Sequence, residues 1–194
     1  MVLLTSPSSW YGNDPGWYVP FDTAARAALG KHLTISAEFK LRAHGDPAAL
    51  RMKCGGVVPN GRIPSSYGEE PFRIYRHDGI DVQGRIARVS VTVVFAPIRW
   101  YPGDSRPLDG REFPAVYADR MIDSPHRFAD GALCLYHPHD PVQRRWTPEK
   151  GLTALLSLAA DHLFFEDVYR ESDPPRWIAP EAEHGFRRER RRVA

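Results

Sequence analysis

The chain has 194 residues, 42% of them hydrophobic, and a formal net charge of +2. That supports one globular core rather than two full domains, and so even a charge balance gives no reason to expect a nucleic-acid partner. Two cysteines, Cys54 and Cys134, cannot build a disulfide framework, the apolar start Met1–Leu4 is too short for a signal peptide, and no apolar run reaches membrane-spanning length, so a reduced cytoplasmic protein is expected.

The first twenty residues are rich in Pro, Gly, Ser and aromatic side chains (Trp10, Tyr11, Trp17, Tyr18) and read as an irregular leader. Asp22-Thr23 is placed to cap a short helix over Ala24–Ala28 that Gly30 would end. From His32 to Arg42 the pattern alternates: Leu33, Ile35, Ala37, Phe39 and Leu41 share one face, as in a half-buried strand. Residues 45–68 carry turn formers, Asn60-Gly61 among them, and read as loop or hairpin. Phe72–Tyr75 is a short strand, and Arg85–Ala96 is the strongest, with Val89, Val91, Val93 and Phe95 on one face. Pro97–Gly110 is rich in turn formers, and Phe113–Tyr117 is a further strand.

Then comes an irregular polar segment, Ser124-Pro125-His126-Arg127-Phe128-Ala129-Asp130-Gly131-Ala132-Leu133-Cys134-Leu135. Trp146-Thr147-Pro148 follows it, with Thr147 as an N-cap and Pro148 suited to a first helical position. Leu152, Leu155, Leu156, Ala159 and Leu163 recur at helical spacing, giving a helix over Gly151–Tyr169 that stops before Pro174-Pro175. Strands first and helices last argue an α+β layer structure with an antiparallel sheet. The single domain spans 1–186, and the basic run 187–194 is a solvated tail or a contact arm for an acidic partner.

From Val89 to Pro175 the chain resembles the ubiquitin-conjugating enzymes. Those enzymes carry a His-Pro-Asn motif whose asparagine lies eight residues before the catalytic cysteine; here Ser124-Pro125-His126 stands in that place, with His126 eight before Cys134. Gly131 lies three before the cysteine, Leu135 follows it, and Trp146-Thr147-Pro148, the helix and Asp173-Pro174 match later landmarks of the family. The departures are Ser-Pro-His for His-Pro-Asn, a reduced N-terminal helix, and residues 1–68, which have no counterpart. They are similar to those of the bacterial relatives in anti-phage operons of the CBASS type.

The resemblance implies an antiparallel β-meander packed against helices, with a cross-over helix after the cysteine. It implies thioester transfer: Cys134 as nucleophile, His126 as the donor that steadies the oxyanion in place of asparagine, and Asp173 as the carboxylate that helps the incoming amine lose a proton. The implied partners are a ubiquitin-like or C-terminal-glycine protein cargo, in the bacterial relatives a cGAS-like nucleotidyltransferase, with an acceptor protein, and with or without a separate activating enzyme. No cofactor, metal, nucleic acid or membrane enters this reading.

Other readings stay open on the residues alone. Cys134 also reads as a small buried apolar side chain, though its surroundings favour a nucleophile, and Cys54 beside Gly55-Gly56 is structural or incidental. Cys134, His137, His139 and Asp140 offer ligand types for a metal, without the close cysteine pair that zinc sites often show. A cysteine hydrolase needs a base in reach and often opens a helix with its nucleophile, which Tyr136-His137-Pro138 does not favour. A non-catalytic binding module of the same fold is the remaining alternative.

Overall fold

The computed structural model describes residues 18–38, 72–95, 98–99, 108–109, 113–118, 124–128, 131–137 and 140–179. The proposed leader up to Trp17, Cys54, the Asn60-Gly61 turn and the basic tail lie outside these residues.

Helix α1 runs over Tyr18–Leu29, not over Ala24–Ala28 alone. Pro20 is tolerated because it lies in the first turn, where its missing N–H costs nothing. Asp22 does not cap: its carboxylate accepts the Tyr75 hydroxyl at 2.6 Å and pairs with Arg73. Gly30, in the left-handed region at φ 55°, ends α1 and opens a one-turn 3-10 segment.

Four strands form an antiparallel sheet in the order β1-β2-β3-β6: β1 (Leu33–Glu38), β2 (Phe72–Ile80), β3 (Val89–Phe95) and β6 (Ala115–Ala118). β4 (Ile98–Arg99) and β5 (Leu108–Asp109) make a separate two-stranded ladder inside the stretch expected to be turns. β2 is longer than the expected Phe72–Tyr75, because Arg76 and His77 pair with Thr92 and Val91 of β3. β3 is shorter than Arg85–Ala96, because Arg85 leaves the sheet to form a two-bonded ion pair with Asp167.

Helix α2 (Gly151–Glu171) follows a 3-10 turn over Pro148–Lys150. Thr147 makes no side-chain cap; its carbonyl accepts the Lys150 N–H at 3.0 Å. The expected stripe Leu152, Leu155, Leu156, Ala159 and Leu163 is buried, and so are His162 and Glu166.

Both helices share one core with one face of the sheet: Phe21 and Ala25 of α1, the α2 stripe, and Tyr75, Val91, Val93, Phe95 and Val116. At its centre the rings of Phe21, Tyr75, Phe95 and Trp146 pack with centroids 5.4 to 6.3 Å apart, largely edge to face. Trp146 is fully buried and donates its indole N–H to the Gly151 carbonyl at 2.8 Å. The architecture is α+β, with helices on an antiparallel sheet, and among the described residues no helix is long and apolar enough to cross a membrane.

Candidate functional site

The cysteine segment is a small irregular hairpin laid against β6. Ser124 Oγ accepts the His126 N–H at 3.2 Å, tightening the turn around Pro125. Arg127 and Leu133 form an antiparallel bridge. Phe128 N–H donates to the Ala132 carbonyl at 2.9 Å, and Gly131 N–H to the Phe128 carbonyl at 2.8 Å. Gly131 turns the chain at φ 84°, a conformation that a side chain would strain. Leu133 N–H donates to the Val116 carbonyl at 2.8 Å and so docks the hairpin on the sheet.

This folding brings Cys134 to His126. The Cys134 N–H donates to the His126 carbonyl at 2.9 Å, so eight residues of sequence close into one backbone hydrogen bond. Cys134 is half-buried and takes part in no disulfide, while Ala132 and Leu133 just before it are buried.

A buried ion pair holds the hairpin from the helix side. Arg127 donates Nε–H to Glu166 Oε1 at 2.8 Å and Nη2–H to Oε2 at 2.7 Å, and its Nη1–H reaches the Ala118 carbonyl at 3.0 Å. The side chains are 4% and 0% exposed, so this pair has no solvent to replace it. His162, one helical turn earlier, sets Nε2 at 3.5 Å from Glu166 Oε1 without a well-formed hydrogen bond. Burial pushes the Glu166 carboxyl up, but the Arg127 fork and His162 outweigh it and hold the group down at about 2.

Above this pair the His126 imidazole stacks on the Trp177 indole, centroids 4.0 Å apart and planes 25° from parallel. Trp177 belongs to the segment that turns back after α2, where Ser172 Oγ accepts the Arg176 N–H at 2.9 Å. Asp173 lies in the same turn, exposed, and its carboxylate makes no hydrogen bond or ion pair among the described residues. The structure therefore joins Cys134 to His126, and leaves the Asp173 carboxylate in solvent on the segment that Trp177 anchors.

Of the metal-ligand types noted in the sequence, Asp140 accepts the His137 backbone N–H at 2.8 Å, closing a turn. His139 lies outside the described residues, among which no three His, Cys, Asp or Glu side chains converge as a metal site.

Sequence reasoning missed Arg127, His162, Glu166 and Trp177. Glu166 carried a signal: it lies three residues after Leu163 and seven after Ala159, on the apolar stripe, where a carboxylate demands a buried cation. Trp177, beyond two prolines, carried none.

Chemically, the site offers a half-buried thiol next to an imidazole-bearing residue, in a loop whose backbone is fixed at both ends. No family model, no curated protein and no solved structure matches the chain.

Proposed function

We propose that the protein is a conjugating enzyme of the ubiquitin-conjugating kind, which carries a protein C-terminus as a thioester on Cys134. The observation that carries this reading is the hairpin that hydrogen-bonds Cys134 to His126. Supporting it, the chain order of helix, antiparallel meander, cysteine loop and long helix is the one the family resemblance implies.

In the first step the Cys134 thiolate attacks the activated C-terminal carbonyl of the cargo, held as a thioester or acyl adenylate on a separate activating enzyme. The C–S bond forms, and the activating thiolate or AMP leaves. In the second step an acceptor amine attacks that carbonyl carbon. The C–N bond forms, the C–S bond breaks, the amine gives up a proton, and the Cys134 thiolate is released. A His126 ring N–H steadies the oxyanion between these events. Asp173, on its exposed turn, serves as a proton acceptor for the incoming amine. The bacterial relatives suggest a cGAS-like nucleotidyltransferase as cargo, in phage defence, with resemblance as the sole support.

Intact mass spectrometry tests the reading, on protein co-expressed with the products of its neighbouring genes. The expected result is a protein-sized adduct that reductant removes, and that resists reductant in Cys134→Ser. His126→Asn should keep most of the discharge activity, and His126→Ala should lose roughly ten- to a thousandfold. No adduct, together with slow alkylation of Cys134 in the folded protein, would point to a structural thiol in a binding module.

A further inference from the structure

Trp177 has no part in the two steps above, yet it packs among aromatic rings beside the cysteine loop. Its indole lies 4.0 Å from the His126 ring, and 5.4, 6.0 and 6.4 Å from the rings of His162, Phe165 and Tyr169. The last three stand on α2, which the core fixes in place through Leu155, Ala159 and Leu163, each fully buried. Trp177 is thus backed by a rigid wall and presents one face to His126.

The His126 backbone is already committed. Its N–H goes to Ser124 Oγ and its carbonyl to the Cys134 N–H. The side-chain torsions remain, and these decide where the ring N–H points. A catalytic donor misplaced by about 1 Å costs on the order of a hundredfold in rate. A near-parallel stack at 25° fixes the plane of the imidazole, which a backbone hydrogen bond alone does not.

We propose that Trp177 is a positioning residue that acts through His126, its indole holding the imidazole in the orientation that serves the Cys134 thioester. This rests on the conjugating reading. The segment after α2 is then part of the working site through an aromatic side chain as well as through Asp173. Trp177 matters for discharge, when the oxyanion forms against the His126 donor, more than for the initial capture of cargo.

The test uses the full chain carrying its adduct, with free lysine as the acceptor. Trp177→Leu should leave the yield of adduct unchanged and slow single-turnover discharge to lysine by about ten- to a hundredfold. Trp177→Phe, which keeps a flat ring, should restore most of the rate. Independently of activity, the His126 ring protons should lie upfield in the wild-type NMR spectrum, under the indole ring current, and move downfield in Trp177→Leu. Discharge as fast in Trp177→Leu as in wild type would overturn the proposal, and so would equal losses in adduct yield and discharge, which mark a merely structural role. Absence of any adduct on wild-type Cys134 would overturn the conjugating reading and this proposal with it. An adduct whose discharge ignores Trp177 overturns this proposal alone.

Discussion

Arg127 and Glu166 each carry a charge to a place that water does not reach, and each is tolerable only because of the other. Removing one partner strands the other charge, so Arg127→Met should destabilise the protein by about 3–5 kcal/mol. Arg127→Met combined with Glu166→Leu should recover most of that loss in urea unfolding; a double variant as unstable as the single would mean that the fork's shape, not the stranded charge, is what counts. The pair also sets an acid limit. Glu166 is held at about 2 against its ordinary 4.5, so its contribution is complete above 4.5 and is lost as pH falls from there toward 2. Glu166→Gln, melted across that window, should show a flatter dependence on pH than wild type.

At the scale of elements, what could be read from sequence was what periodicity records. The alternation of Val89, Val91, Val93 and Phe95 gave β3, and the leucine spacing gave α2, because each reports one face against one core. The start of α1 was not legible: Asp22 and Thr23 look like caps, but Asp22 is taken by Tyr75 and Arg73, and Thr23 Oγ1 turns back to the Val19 carbonyl at 2.9 Å. The second half of β2 was not legible either: Arg76, His77 and Asp78 are three polar residues in a row and show no apolar alternation. His77 is in fact buried, its Nδ1 accepting the Gly79 N–H at 3.2 Å, and burial lowers its tendency to protonate. The hairpin around Cys134 was not legible, because Ser124–Leu135 reads as an irregular polar segment, and the clamp beneath it depends on a contact between residues 39 apart, which no local pattern encodes. Gly131 is the joint of that hairpin, at φ 84°. Gly131→Ala should cost about 1–2 kcal/mol in urea unfolding, and it should speed alkylation of Cys134 as the loop loosens.

Taken together, the described residues form a sheet with α1 and α2 on one side, fastened where Tyr75 crosses from the core to Asp22 of α1. Burial raises the Tyr75 hydroxyl to about 12, and the nearby Arg73 only partly offsets this. A hydroxyl that stays protonated in the fold while the unfolded chain ionises at its ordinary 10.0 makes a contribution that is full below 10.0 and lost as pH rises toward about 12. Tyr75→Phe should remove this alkaline sensitivity, seen in melts across the same range. It should also cost about 1.5–3 kcal/mol at neutral pH, the worth of a hydrogen bond to a charged acceptor.

The docking of the cysteine hairpin on β6 has a consequence for how the molecules behave among themselves. β6 pairs with β3 on one side and, among the described residues, is an end of the sheet on the other, where a bare strand is a template for a second chain. Leu133 and Arg127 occupy the Val116 and Ala118 carbonyls along it, so the loop that bears the thiol is also a shield against strand addition. Loosening that loop exposes this edge as well as the cysteine, and loop variants should associate more readily as concentration rises.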